Sequence, residues 1–253
     1  MLPPALLLPK VLTIAEQAAV VILQHYAAGT TVSTKADSSP VTEADEAGEA
    51  VILAALRLLT PEVPIVAEEA VSRGELPNVG DGPFWLVDPL DGTKEFISRN
   101  GEFTVNIGLI EHREPILGVV LAPARGLAWW GAAGIGASRR EGDTVRPIRV
   151  RARPGQGAVA VASRSHRDAE TDAWLQGEGI EDTMSAGSSL KFCLVAEGKA
   201  DVYPRFGPTM EWDTAAGDAV LRAAGGAVVT TAGAPFLYVK PAFRNPGFIA
   251  RGA

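Results

Sequence analysis

The sequence predicts an α/β (α+β) protein with an antiparallel sheet first and a mostly parallel sheet after it. Three observations carry this. Short apolar stretches recur at hairpin spacing over 103–110, 117–122, 127–130 and 146–150. Pro154-Gly155-Gln156-Gly157 then breaks the pattern. Beyond it, short strands alternate with helical stretches, as in a sheet built with crossover helices. The break divides the chain into residues 1–153 and 154–253.

The elements follow in order. Residues 10–26 form a first helix, with Leu12, Ala15, Ala19, Ile22 and Tyr26 on one face and Gly29 ending it. The preceding MLPPALLLPK is apolar but broken by prolines. It lacks a basic region and an A-x-A site, so it does not read as a signal peptide. The apolar run 18–23 is too short to span a bilayer, so no integral membrane segment is expected. Residues 35–40 are either a plain connector or a flap carrying Lys35 and Asp37. Residues 42–59 make a second helix. Thr42 caps it, Asp45 takes the capping-box position, and Ala47, Val51, Ala54, Ala55 and Leu58 form its apolar stripe. A short strand, 65–67, runs into Glu68-Glu69.

The segment 139–153 carries six arginines against two acids and reads as a solvated hairpin and linker, with contact to a membrane surface as the alternative. In the second part come a strand at 158–162, a polar helix from Asp168, Gly187-Ser188-Ser189 leading into an apolar helix, and a short strand at 201–203 before Arg205. A last helix begins at Asp213.

The chemistry concentrates in Phe84-Trp85-Leu86-Val87-Asp88-Pro89-Leu90-Asp91-Gly92-Thr93. Two carboxylates three residues apart at the end of a buried strand lose hydration and repel each other, a cost tolerated where cations sit. Asp91-Gly92-Thr93 opens a short helix whose free N–H groups suit a phosphate. The structural alternative is an Asx-turn and N-cap. Glu68 repeats the pattern of a strand ending in an acid, and Asp213 supplies a fourth carboxylate or a helix cap. Acids without histidine or cysteine partners suit Mg²⁺ rather than zinc, and His25, His112 and His166 have no zinc-like spacing.

Composition sets further bounds. The 253 residues are 47% apolar with a net charge of −7, which argues against duplex nucleic acid as the main partner. Cys193 is the only cysteine, consistent with a reducing cytoplasm, and it sits in an apolar helix as a packing residue. There is no G-x-S-x-G elbow, no G-x-x-x-x-G-K-[ST] loop and no D-x-D pair. A water activated by metal is the remaining route to hydrolysis.

The motifs W-L-V-D-P-L-D-G-T-K-E-F at 85–96 and W-D-T-A-A-G at 212–217 resemble the inositol monophosphatase superfamily, a lithium-sensitive, Mg²⁺-dependent group. K-A-D-S-S-P-V-T at 35–42, S-R-S-H at 163–166, G-S-S-L-K-F-C-L-V-A-E-G at 187–198 and Y-P-R at 203–205 are similar to its bacterial bisphosphate nucleotidase branch. The resemblance implies a layered αβαβα sandwich with the site between the two sheets and two or three Mg²⁺ ions. Glu68, Asp88, Asp91, Asp213 and the Leu90 carbonyl match metal ligands, with Asp88 between two ions. Thr93, backed by Asp45, matches the pair that deprotonates the attacking water, with Glu68 assisting.

Backbone groups of Gly92 and Thr93 match the cradle of the cleaved phosphate. His166, Ser188, Lys191 and Arg205 match contacts to the nucleotide and its second phosphate, and Asp91 and Asp213 also face substrate. Ser188 has a helix cap as its alternative role. The implied reaction is removal of the 3'-phosphate from adenosine 3',5'-bisphosphate to give AMP, with 3'-phosphoadenylyl sulfate as a further substrate in sulfur metabolism. An inositol or sugar monophosphatase and a non-catalytic nucleotide sensor are the alternatives. A cytoplasmic enzyme is implied, with a homodimer and attachment to the inner membrane face left open.

Overall fold

The computed structural model describes residues 2–29, 31–34, 40–163 and 168–253. Lys35, Asp37 and His166, singled out above, lie outside the described residues. The chain begins with α1 (Pro4–Ala28), a short ribbon of β1 (Val32–Thr34) and β2 (Pro40–Thr42), then α2 (Glu43–Leu59), β3 (Ile65–Ala67), α3 (Glu68–Ser72), β4 (Phe84–Asp91) and α4 (Thr93–Ile97). Five strands follow: β5 (Thr104–Glu111), β6 (Glu114–Ala122), β7 (Leu127–Ala132), β8 (Gly136–Glu141) and β9 (Thr144–Ile148). The second part holds β10 (Val159–Ser163), α5 (Ala169–Gly177), β11 (Asp182–Ala186), α6 (Leu190–Ala196), β12 (Val202–Arg205), β13 (Thr209–Met210), α7 (Glu211–Ala223), β14 (Ala227–Thr230), β15 (Arg244–Asn245) and β16 (Phe248–Arg251).

Strands β3 to β9 form one seven-stranded sheet in sequence order, antiparallel except for the β3–β4 pair. A five-stranded sheet runs β11-β10-β12-β16-β14, and four of its strands point the same way, with β16 opposed. Helices α1 and α2 cover one face of the large sheet, and α6 and α7 lie between the two sheets. Leu175 of α5 packs on the far side of the small sheet with Ala160, Val202 and Ile249. The result is the αβαβα sandwich.

β4 is buried on both faces, so it reads as the continuous run Phe84-Trp85-Leu86-Val87 rather than an alternation. Trp85 and Val87 join the core under α1 and α2, while Phe84 and Leu86 join the core beneath α7. Helix α7 approaches the sheet closely because Gly108, Gly118 and Gly131 lie under it. A Cβ at Gly118 would overlap the Ala216 carbonyl oxygen.

Some expectations need correction. The first helix starts at Pro4, not Lys10, and is 25 residues long. Pro4 stands in the first turn, where a missing N–H costs nothing, and the helix continues through Pro9 as Leu7, Leu8 and Val11 are buried. It is long and apolar enough to cross a membrane by composition, yet its Leu7, Val11, Ala15, Ala18 and Ile22 are fully buried in the protein.

The expected stripe on α2 is the wrong face. Leu58 and Ala54 are exposed, and the inward face carries Ala44, Gly48, Ile52 and Leu56 together with Asp45 and Glu49. Two carboxylates on the buried side pulled the apolar pattern off register. Arg139 is not solvated. It is buried against Glu197 at 3.1 Å and lies over the Trp129 ring, and Arg140, Arg151 and Arg153 pair with Glu16, Asp201 and Glu178. The last helix begins at Glu211, two residues before Asp213.

Candidate active site

The site forms where β3 ends beside the continuing strand β4. Ala67 is paired with Val87 in a parallel register, so Glu68, the first residue after β3, comes beside Asp88, which stays in the sheet opposite Asn106. Asp213 reaches them from the first turn of α7. Carboxylate oxygens of Glu68, Asp88 and Asp213 lie within 4.8 Å of one another. Asp88 is buried, and its Oδ1 accepts the Leu90 N–H at 2.9 Å. Asp213 Oδ2 accepts the Met210 N–H at 2.8 Å, so it caps its helix while facing the cluster.

Asp91 stands beside this trio across an irregularity in the β4–β5 pairing, and its Oδ2 accepts from Ser189 Oγ at 3.2 Å. Leu90, between the acids, buries its side chain in the core under α1 and α2.

Burial, then the charges of Glu68, Asp91 and Asp213, pushes the Asp88 carboxyl well above its ordinary range. Burial followed by Asp91 and Glu68 does the same to Asp213. Burial raises Asp91 to about 6 although Lys191 opposes the shift. Such a cluster ionises readily only with cations present, and an all-carboxylate donor set fits Mg²⁺.

Thr93 and Asp45 meet as a pair, with Thr93 Oγ1 donating to Asp45 Oδ1 at 3.3 Å. The capping box holds Asp45 from the other side. Its Oδ2 accepts from the Thr42 N–H at 2.8 Å and the Thr42 hydroxyl at 2.6 Å. Capping and pairing therefore coexist on one carboxylate. Gly92 precedes Thr93 with φ 93°, and a Cβ there would run into Ser188 Oγ. This close approach brings the second half of the chain onto the first.

Ser188 does not cap α6. Its hydroxyl lies 2.7 Å from the Asp91 carbonyl oxygen and 2.6 Å from that of Glu102, each able to accept it. Glu102 reinforces the seam, accepting the Gly187 N–H at 2.8 Å and pairing with Arg125 at 2.8 Å.

A cleft of 760 Å³ opens over the cluster, lined among others by Glu68, Asp91, Thr93, Ser188, Lys191 and Arg205. Lys191 is buried, with Nζ donating to the Ser188 carbonyl at 2.6 Å and lying 5.3 Å from the Tyr203 ring centroid. Burial lowers it to about 8 against the pull of Asp91. Arg205 ends β12 and points its guanidinium at the carbonyls of Gly207 (3.2 Å) and Pro208 (3.1 Å). Carboxylates for cations and two buried cationic side chains thus share one cleft.

A profile of the inositol monophosphatase family matches residues 8–248. The chain belongs to the inositol monophosphatase family. Within it the chain is 52% identical to the 3'(2'),5'-bisphosphate nucleotidase CysQ of Escherichia coli strain K12 over 247 residues, 96% of this chain and 98% of that one. The crystal structure of CysQ from Bacteroides thetaiotaomicron superposes with a TM-score of 0.80 at 39% identity, covering 96% of both chains. The inositol monophosphatase of Anabaena superposes at 0.78 with 28% identity, covering 98% of this chain and 91% of that one. The chain is of the CysQ type, and the inositol monophosphatase family is in general Mg²⁺-dependent.

Sequence reasoning missed several residues that shape this site. Glu49, on the inward face of α2 one turn after Asp45, accepts the Glu69 N–H at 2.8 Å and binds Arg73 at 3.1 Å, fixing the turn that carries Glu68. Its spacing from Asp45 was the available signal. Ser189, Glu102 and Asp168 also touch the site or its walls, and nothing local in the sequence marks them.

Proposed function

We propose that this chain removes the 3'-phosphate from adenosine 3',5'-bisphosphate, releasing AMP and phosphate by direct attack of water. The carrying observation is that one cleft holds both the carboxylate cluster and the buried pair Lys191 and Arg205. A monophosphate substrate needs the first group only. A nucleotide with a second phosphate gives the cations a partner, and a guanidinium grips phosphate through two parallel hydrogen bonds.

Glu68, Asp88, Asp91 and Asp213, with the Leu90 carbonyl, are the ligands we assign to two or three Mg²⁺ ions. Bound Mg²⁺ supplies charge neutralisation at the phosphate and makes water a stronger acid. The chain's own part is proton transfer and orientation. The attacking water gives a proton to Thr93 Oγ1 while Thr93 passes its own to Asp45 Oδ1. The water oxygen bonds to phosphorus, the bond to the ribose 3'-oxygen breaks, and that oxygen takes a proton from solvent water to become the 3'-hydroxyl of AMP, Asp45 returning its own proton to solvent. The Thr42 contacts hold Asp45 through Oδ2, and Oδ1 accepts from Thr93 Oγ1, the atom that hands over the proton. Gly92 and Thr93 orient the cleaved phosphate, and Ser188, Lys191 and Arg205 hold the nucleotide end. A pure nucleotide sensor has no use for the Thr93–Asp45 pair.

The test is phosphate release with Mg²⁺ from adenosine 3',5'-bisphosphate and from inositol 1-phosphate, each with and without lithium. A strong preference for the nucleotide, suppressed by lithium, is expected. Preference for inositol phosphate would overturn the substrate assignment, and binding of nucleotide without release would favour the sensor.

A further inference from the structure

Asn106 has no evident structural reason to be an asparagine. It lies in the middle of β5, fully buried, and neither its Oδ1 nor its Nδ2 finds a hydrogen-bond partner among the described residues. Thr104, two residues earlier on the same face, is also fully buried with its hydroxyl unpartnered. The rest of that face is Gly108 under Ala215 and then Ile110, with Val120 adjoining Asn106 on β6. An aliphatic side chain would suit such a place. A buried amide left without a partner costs stability, and such groups concentrate where function requires them.

The register supplies the reason. Asn106 is directly opposite Asp88 in the antiparallel ladder, and Thr104 is opposite Asp91. Directly opposed residues project from the same face with Cβ atoms roughly 4.5–5.5 Å apart, so a rotation of the terminal torsions brings an amide into contact with a carboxylate. Asp88 Oδ1 is already held by the Leu90 N–H. No described donor is bonded to Oδ2.

We infer that Asn106 is a positioning residue for the cation cluster, its amide orienting the Asp88 carboxylate when Mg²⁺ binds, with Thr104 supporting Asp91 in the same way. The inference rests on the Mg²⁺ reading of the cluster. The molecule then accepts an unsatisfied amide in the cation-free state and recovers the loss on binding.

Calorimetric titration with Mg²⁺ tests this, together with melting temperatures without the ion, for wild type, Asn106→Leu, Asn106→Ala, Asn106→Ser and Thr104→Val. Asn106→Leu is expected to melt no lower than wild type without Mg²⁺ and to bind the ion about 10–100-fold more weakly, the range seen when groups orienting metal ligands are removed. Asn106→Ser, which keeps a donor, should recover part of the affinity. Asn106→Ala serves if leucine does not fit. An Mg²⁺ affinity within about twofold of wild type in the leucine and alanine variants would overturn the inference while leaving the metal site intact. A wild type that binds no Mg²⁺ would overturn the reading of the site as well.

Discussion

Thr93 and Asp45 come from the first turns of two different helices, and the capping box holds the Asp45 carboxylate that Thr93 meets at 3.3 Å. Thr93→Val keeps the shape and removes the proton relay. It should lower kcat by about 10²–10⁴-fold with little change in KM, read from steady-state phosphate release. Protonation of the cluster gives a second prediction. Folded-state pKa values of Asp88, Asp91 and Asp213 stand above the unfolded carboxylate value, so their favourable contribution is fully present below about pH 4 and is lost as pH rises through about 6 for Asp91. Asp168 and Asp201 are shifted downward and act below that window, and Lys191, lowered to about 8, acts above it. Melting temperature without Mg²⁺ should therefore rise as pH falls from 7 to 5, and saturating Mg²⁺ should reduce that rise, leaving the part due to Asp218, raised by burial to about 6 away from the cluster, and to Glu49, also raised by burial. Calorimetry in buffers of different ionisation enthalpy should record protons released on Mg²⁺ binding near pH 6.

Asp88 and Asp91 stood out as candidates because two acids ending a buried apolar run are costly, with an Asx-turn and N-cap as the alternative, while the pairing of Thr93 with Asp45 came through the family resemblance. Asn106 was not legible, since only burial and register, set by distant residues, give it meaning, and Glu49 was marked by nothing but its spacing from Asp45.

At the scale of elements, α7 carries the argument. It lies over a groove of glycines in the large sheet and delivers Asp213 to Glu68 and Asp88 at β3 and β4 of that same sheet. Gly118→Ala would push a methyl into the Ala216 carbonyl. The expected cost is about 1–3 kcal/mol, a fall of several degrees in melting temperature, with weaker Mg²⁺ binding because Asp213 moves with its helix. The start of the same helix is tied to the C-terminal strap. Glu211, fully buried, accepts the N–H groups of Val239 (3.0 Å) and Lys240 (2.8 Å) and pairs with Lys240 Nζ at 2.7 Å. Removing one partner of such a buried pair costs about 3–5 kcal/mol. Glu211→Ala should destabilise accordingly in chemical denaturation, while Lys240→Met, which spares the backbone bonds, should cost less. The buried side of α2 misled the sequence reading because Asp45 and Glu49 occupy it. The α7 start at Glu211 was missed because Asp213 also satisfies the pattern of a cap.

The whole molecule is a seam between two sheets, and the site is the seam. Ser188 Oγ at the Asp91 and Glu102 carbonyls, Glu102 at Gly187 and Asp213 beside Asp88 all join residues far apart in the chain. The order of an antiparallel sheet before a mostly parallel one was readable from hairpin spacing and from strand–helix alternation. Strands β11, β14 and β16 were not, and β8 was readable only as part of a hairpin over 139–153. They are short, and their apolar pattern is too brief to separate from turns until a partner pairs with them. The cationic wall was readable only as isolated residues, because Lys191 and Arg205 converge on the cleft through the small sheet and the helix beside it.

The central claim is that this wall recognises a second phosphate. The most direct measurement is kcat/KM for adenosine 3',5'-bisphosphate and for adenosine 3'-monophosphate, in wild type and in Arg205→Ala. The account predicts a loss of about 10²-fold or more on the bisphosphate, in line with truncating one partner of a desolvated charge pair, and little change on the monophosphate. Equal losses on both substrates would contradict it.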